Sequence, residues 1–243
     1  MIDTNLIISG DGKVLLSVTN KSINSVNIPD SVTSVGDKAF YNCSSLQAIV
    51  IPDSVTSIGN EAFISCDSLQ SIQIPNSVTD IGKSAFEYTG LTSVVLPEGI
   101  KSIKMGTFAN CRNLRHVQLP KTLRTIEQGA FGGSGLRAIT IPEGVTEIGM
   151  GAFFNSRIQR VIIPSTIRKI EDQVGSFAGE VFLFLTDLTQ LEIELGHGRF
   201  GDLYVPSKIQ EVCKRHPVLG RFRKIDSIEN VIASMKLRYD RYW

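Results

Sequence analysis

An aliphatic residue followed by proline recurs seven times, at Ile28-Pro29, Ile51-Pro52, Ile74-Pro75, Leu96-Pro97, Leu119-Pro120, Ile141-Pro142 and Ile163-Pro164. Successive prolines lie 23, 23, 22, 23, 22 and 22 residues apart. Three residues after them come Val32, Val55, Val78, Ile100, Leu123, Val145 and Ile167, and six after them Val35, Ile58, Ile81, Ile103, Ile126, Ile148 and Ile170. Eleven after the first six stand Phe40, Phe63, Phe86, Phe108, Phe131 and Phe153, which accounts for half of the 12 Phe in the chain. A unit this short cannot bury its own apolar side chains. It has to stack on copies of itself, and the chain is constrained to a repeat solenoid.

Within one unit, Leu46 to Pro52 carries Ile49 and Ile51 at alternate positions. That is the period of a short strand, and stacked units pair such strands in parallel about 4.8 Å apart. Proline ends the strand because it has no N–H to donate. The following V-T-x-I-G stretch reads as a second extended piece, turned by Gly36, Gly59, Gly82 and Gly149. Lys104, Glu127 and Glu171 replace that glycine in other units, so a different turn is expected there. Small Ala before Phe, as at Ala39 and Ala62, lets each ring pack on the next.

Three residues after the Phe comes Cys43, Cys66, Thr89, Cys111, Ser134 or Ser156. Units with Cys are 23 long and units with Thr or Ser are 22 long, in all six cases. The missing residue falls between this slot and the next aliphatic. A hydroxyl there is expected to close a tighter turn by bonding backbone, while Cys acts as a small apolar plug.

The segment IPDSVTSVGDKAFYNCSSLQAIVIPDSVTSIGNEAFISCDSLQSIQIP, Ile28 to Pro75, resembles the BspA-like, or Treponema-type, leucine-rich repeat family. The resemblance extends over about 23–170 and implies a leucine-rich-repeat-type, β-rich right-handed coil. It also implies a non-catalytic module for protein interaction or adhesion, secreted or on a cell surface. After Ile170 the register fails, since Phe177 arrives two residues late. Family members often end with one degenerate unit and a helix led by V-P-S, which Val205-Pro206-Ser207 resembles.

The expected organisation is one domain, 1–243. An N-terminal hairpin cap covers 1–22, with strands around the turn Gly10-Asp11-Gly12. Regular repeats occupy 23–170, and a degenerate repeat over 171–206 holds strands in Val181 to Leu195 and Leu203 to Val205. A helical cap and tail fill 207–243. Ser207-Lys-Ile-Gln210 has capping-box spacing for a helix running to about His216, stopped by Pro217. Periodicity leaves the tail from Ser227 onward open.

Enzymatic chemistry finds little support. His116, His197 and His216 form no metal-ligand pairing, and a lone histidine is most often structural or exposed. No catalytic residue, metal site or cofactor is expected. Gly196-His-Gly-Arg-Phe-Gly201 matches G-x-G-x-x-G, yet a strand rather than a helix follows it, so it reads as a turn. An enzyme ranks last, and would need Asp187, Glu192 and Glu194 to converge in a cleft within 171–206. Cys43 and Cys66 should lie one strand spacing apart, within disulfide reach. Buried free thiols are favoured over a bridge, because the slot accepts Ser and Thr equally well. Cys213 has no evident partner.

Charge is uneven although the net is only +1. Residues 1–96 hold 4 Lys+Arg and 9 Asp+Glu, residues 97–170 hold 11 and 4, and residues 171–243 hold 10 and 11. On the inferred strand face Arg115, His116, Arg137 and Arg160 fall on successive units, and on the other face Lys101, Arg124, Arg168 and Lys169. This is either a solvated surface or a patch for an acidic protein or glycan partner, with Arg115, His116, Arg137 and Arg160 as its candidates. Nucleic acid fits poorly, since no aromatics interleave the charges. No run of 18 apolar residues exists, so no membrane-spanning helix is expected. The N-terminal stretch lacks a basic segment followed by an apolar core, so no secretory signal is expected within the chain. A scaffold segment of a larger bacterial surface protein is the alternative function.

Overall fold

The computed structural model describes residues 5–171, 180–185, 188–189, 191–193 and 201–230. Its architecture is a β-solenoid with two parallel ladders. The first ladder collects the strands before each proline, from Ser25–Asn27 and Ala48–Val50 through Ser93–Val95, His116–Gln118, Ala138–Thr140 and Arg160–Ile163. It runs on through Glu180–Leu183 and Asp202–Val205 to Lys224–Ser227. The second ladder is made of two-residue strands beginning with Ser34–Val35 and Ser57–Ile58 and reaching Lys169–Ile170 and Glu192–Ile193. Within each sheet a strand pairs with its equivalent one rung on, as in Val26 with Ile49 and Ile126 with Ile148. The strand pairing of the first ladder breaks after Ala48–Val50 and after His116–Gln118, and that of the second after Asp80–Ile81. The alternation seen in the sequence sets the faces: Val26 and Ile28 point inward and are buried, while Ser25 and Asn27 stay exposed.

The Phe residues form a spine. From Phe40 to Phe153 successive rings stack with centroids 5.0 to 5.7 Å apart and planes within 6° of parallel. None is more than 1% exposed. Complete burial of such a ring stabilises by about 1.5–3 kcal/mol. The spine therefore carries much of the free energy that binds one rung to the next.

Four sequence expectations need correction. Gly36, Gly59, Gly82 and Gly149 do not turn the chain through left-handed backbone. The left-handed residue comes two positions later, at Lys38, Glu61, Ser84, Gly106, Gly129 and Gly151, with φ of 52° to 65°. A second left-handed residue follows four on, from Asn42 to Asn155. The earlier glycine answers to close approach instead, since a Cβ on Gly82 would stand 2.4 Å from the backbone nitrogen of Asn60.

Cysteine is more than an apolar plug. The Cys66 and Cys111 thiols donate to the carbonyls of Phe40 and Phe86 on the preceding rung, at 3.2 and 3.0 Å. Thr89 closes its own turn as expected by donating to the Phe86 carbonyl at 2.8 Å. The Ser134 hydroxyl is buried without a hydrogen-bond partner, so backbone bonding by the hydroxyl does not extend to every short rung.

The Ser207 helix is present as a 3₁₀ turn over Ser207–Ile209 and an α-helix over Gln210–Arg215, but no side chain caps it. Ser207 Oγ lies 3.0 Å from Glu229 Oε2, which draws it away from Gln210. Finally, the solenoid does not stop at 206. Lys224–Ser227 adds a strand to the first ladder, in register with Asp202–Val205. From Arg160 the partner lies 20 residues on, and then the step returns to 22 at Glu180 to Asp202 and Asp202 to Lys224. The N-terminal expectation holds: Leu6–Ile8 and Val14–Val18 form an antiparallel hairpin, and Val14 and Leu15 pair in parallel with Ser34 and Val35.

Candidate interaction surface

The outward side chains of the first ladder form two columns, and the residue just before each strand forms a third along its edge. Arg115 and Arg137 belong to the edge column, followed by Gln159; His116, Ala138 and Arg160 belong to the first strand column. The sequence thus placed the four candidates on three successive rungs, and the structure puts them side by side: the Arg160 and Gln159 N–H groups both donate to the Arg137 carbonyl. They differ in what they are free to do.

Arg115 is half-buried, and its Nη1 donates to the Gly135 carbonyl at 2.6 Å on the next rung. Arg160 binds Glu180 through Nε and Nη2 at 2.8 and 2.7 Å, and its guanidinium lies 5.9 Å from the Phe182 ring centre. Phe182 in turn stacks on Tyr204 at 4.8 Å. The side chains of Arg137 and His116 are exposed and make no hydrogen bond or ion pair among the described residues. The strand alignment adds two residues that sequence reasoning missed. Arg112 precedes Arg115 in the long turn of its rung, and Arg157 occupies the short turn two rungs on. Both are exposed and unpaired among the described residues. Both stand four residues after the Phe of their rung, Phe108 and Phe153, so the period itself carried their signal.

The carboxylates of this stretch do not neutralise the edge. Glu98 accepts from the Lys121 N–H at 2.9 Å, Glu127 from the Met105 N–H at 3.0 Å, and Glu143 from the Ser165 N–H at 3.1 Å. Each ties one rung to its neighbour from another side of the coil. Three of the four opposite-face cations are similarly engaged, while the Lys101 side chain is exposed and unpaired among the described residues. Arg124 and Arg168 fold back onto the carbonyls of Leu123 and Ile167 at 3.0 and 2.9 Å, and Lys169 pairs with Glu171. Arg124 replaces a hydroxyl: Ser54, Ser77, Thr122 and Thr166 donate to the equivalent carbonyls of the rung before them, and Gly144 cannot. The first-ladder edge is therefore the richer source of uncommitted guanidinium groups.

The four cysteines are all buried and unbridged, Cys43 and Cys66 included. Burial raises the Cys66 thiol to about 12 and those of Cys111 and Cys213 to about 11. Among the described residues no group of His, Cys, Asp and Glu is arranged to hold a metal ion. Of the acidic trio, Glu192 lies exposed on its strand, while Asp187 and Glu194 lie outside the described residues. So do Gly196 to Phe200 of the glycine-rich match. Among the described residues no helix is long and apolar enough to cross a membrane.

Two overlapping matches to the model of the BspA type leucine rich repeat region, over residues 17–131 and 101–194, cover most of the chain with six copies. The chain belongs to that family. Solved structures agree on the fold. A leucine-rich repeat protein of Bacteroides ovatus aligns with TM-score 0.64 at 22% identity, covering 93% of this chain and 68% of that one. A leucine rich cell surface protein of Faecalibacterium prausnitzii aligns with TM-score 0.56 at 21% identity and 94% coverage of both chains. The pneumococcal vaccine antigen PcpA aligns with TM-score 0.50 at 18% identity, covering 85% of this chain and 68% of that one. No curated protein matches the sequence.

Proposed function

We propose that this BspA-type repeat protein is a non-catalytic interaction module, working as one unit over 1–243, whose first-ladder edge engages an acidic protein or glycan outside the cell. The carrying observation is the cluster Arg112, His116, Arg137 and Arg157, exposed on three consecutive rungs and unpaired among the described residues. Parallel pairing sets the rungs about 4.8 Å apart, so guanidinium groups repeat at a spacing that a chain of anions can follow. Arg115 and Arg160 flank the cluster. Their existing bonds make them a fixed border rather than the point of contact. Surface or secreted placement rests on the family and on the similarity to the cell surface protein of Faecalibacterium prausnitzii. A segment of a larger surface scaffold is the second reading.

The test is titration of the whole chain with an Asp/Glu-rich peptide. Binding should weaken as salt rises and should be lost in the variant R112E/R137E/R157E, because exposed charges act through a screened field. A variant that binds as the parent does would overturn the assignment of this edge.

A further inference from the structure

A second site lies on the same rungs where the Phe spine turns, ending at Asn110 and Asn155, two residues before Arg112 and Arg157. The regular rungs fill this edge with side chains. Asp37, Asn60 and Lys83 stand eight residues after the proline, and Lys38, Glu61 and Ser84 stand nine after it. Tyr41, Ile64 and Glu87 stand twelve after it. In the fourth to sixth rungs the same positions hold Met105, Gln128 and Met150, then Gly106, Gly129 and Gly151, then Ala109, Gly132 and Phe154. Removing those side chains opens a cleft of about 320 Å³.

Two of its glycines are not demanded by the fold. A Cβ on Gly129 would meet nothing within 4 Å, and its left-handed backbone is the conformation that Lys38, Glu61 and Ser84 adopt. The nearest atoms to a Cβ on Gly132 would be the Gly129, Gly151 and Phe154 carbonyl oxygens, at 3.3 to 3.6 Å, and Ile64 and Glu87 occupy that position in other rungs. These glycines leave peptide backbone as an open floor. Gly133 differs: the Asn110 carboxamide crosses it, with Oδ1 2.6 Å from where a Cβ would be.

The chemistry around the floor is specific in kind. Phe154 is 48% exposed and Met150 41% exposed, although their neighbours Phe153 and Ile148 are buried. Asn110, Gln128 and Asn155 present carboxamides, each able both to donate and to accept, although Asn110 Nδ2 already donates to Glu87 Oε1 at 3.4 Å. None of the lining residues is charged, in the part of the chain where cations are densest. An anion would find no cation in the lining. An apolar peptide anchor would strip water from the carboxamides without replacing their hydrogen bonds, which is unfavourable for each group left unsatisfied. A pyranose meets both demands: its C–H face lies on the aromatic ring while its hydroxyls bond the carboxamides and the open backbone.

We propose that this cleft binds a neutral saccharide, independently of the basic edge. The test is amide chemical-shift mapping of the whole chain with maltohexaose, cellohexaose, mannohexaose and the hexamer of N-acetylglucosamine. At least one should shift resonances in 128–133 and 150–155, with affinity unchanged between low and high salt. Gly132→Glu restores the side chain that Glu87 provides in an earlier rung, so it should fold normally and weaken binding by at least about tenfold. Phe154→Ala should do the same, and R112E/R137E/R157E should leave binding unchanged. A panel that shifts nothing in the cleft would overturn the proposal. So would a folded Gly132→Glu that binds as the parent does, or loss of saccharide binding in the arginine variant.

Discussion

A Cβ on Gly90 would lie 2.1 Å from the carbonyl oxygen of Asp67 on the preceding rung. Gly135 stands in the same relation to Arg112, at 2.3 Å. Each belongs to a 22-residue rung that stacks on a 23-residue one. In the longer rung the slot carbonyl accepts from the leucine three residues on, as Leu69 N–H to Cys66. In the shorter rung that turn is absent, and Gly90 N–H donates across to Cys66 instead. The chain is drawn against the bulge of its neighbour. Arg157 holds the equivalent place where a 22-residue rung stacks on another 22-residue rung, and it carries a full side chain.

Substitution should follow that division. Gly90→Ala and Gly135→Ala are expected to destabilise by about 1–3 kcal/mol through overpacking against backbone, whereas Arg157→Ala should stay within about 0.5 kcal/mol of the parent. Thermal unfolding followed by circular dichroism distinguishes the three. Equal effects at all three positions would show that rung length does not set the requirement for glycine.

The Phe spine makes a second comparison inside one protein. Phe108→Ala removes a fully buried ring from between Phe86 and Phe131 and should cost about 3–5 kcal/mol. Phe154→Ala removes an exposed ring and should change stability by no more than about 0.5 kcal/mol. Denaturant titration of both variants reads the difference directly.

Thiol chemistry gives a third expectation. Cys66 and Cys111 are raised to about 12 and 11, with burial as the first cause. Iodoacetamide at pH 8 should leave both unmodified in the native chain and label them once it is unfolded. Because the folded values lie above the ordinary 9.0, the thiols' contribution to stability is full below pH 9.0 and is lost as pH rises towards 11 and 12. Cys66→Ser should make that alkaline decline shallower.

At the other end of the scale, hydrogen bonds from Asn230, then Lys224 and the Ser227 N–H, hold the Asp226 carboxyl down at about 2, against an ordinary 3.8. Its contribution is present above pH 3.8 and is lost as pH falls towards 2. Asp226→Asn should flatten the acid limb of the stability profile across that interval, measured by the unfolding midpoint as a function of pH.

The repeat made most of the solenoid legible before any coordinate. Ile28-Pro29 and its copies marked the strands, and the Phe series marked the spine, because each marker residue performs one physical task in every rung. The strand at Lys224–Ser227 was not legible, because the Phe, Pro and slot residues are gone there and only the strand spacing survives. The left-handed backbone at Lys38 and Glu61 was hidden for a different reason: lysine and glutamate carry no signature of it, whereas the nearby glycine drew attention to close contacts. At the candidate surface the placing of Arg115, Arg137 and Arg160 on successive rungs followed from the period, but the Arg160–Glu180 bond spans an irregular step of 20 residues. Arg112 and Arg157 both stand four residues after the Phe of their rung, so the period aligned them, but no recurring residue type marks that position.

The assignment of the first-ladder edge is tested most directly by an amide chemical-shift map of the whole chain titrated with the Asp/Glu-rich peptide at low salt. The account predicts shifts concentrated in 112–116, 135–138 and 157–160, fading as salt is added. Shifts confined to the acidic rungs before residue 97, or spread evenly along both ladders, would contradict it.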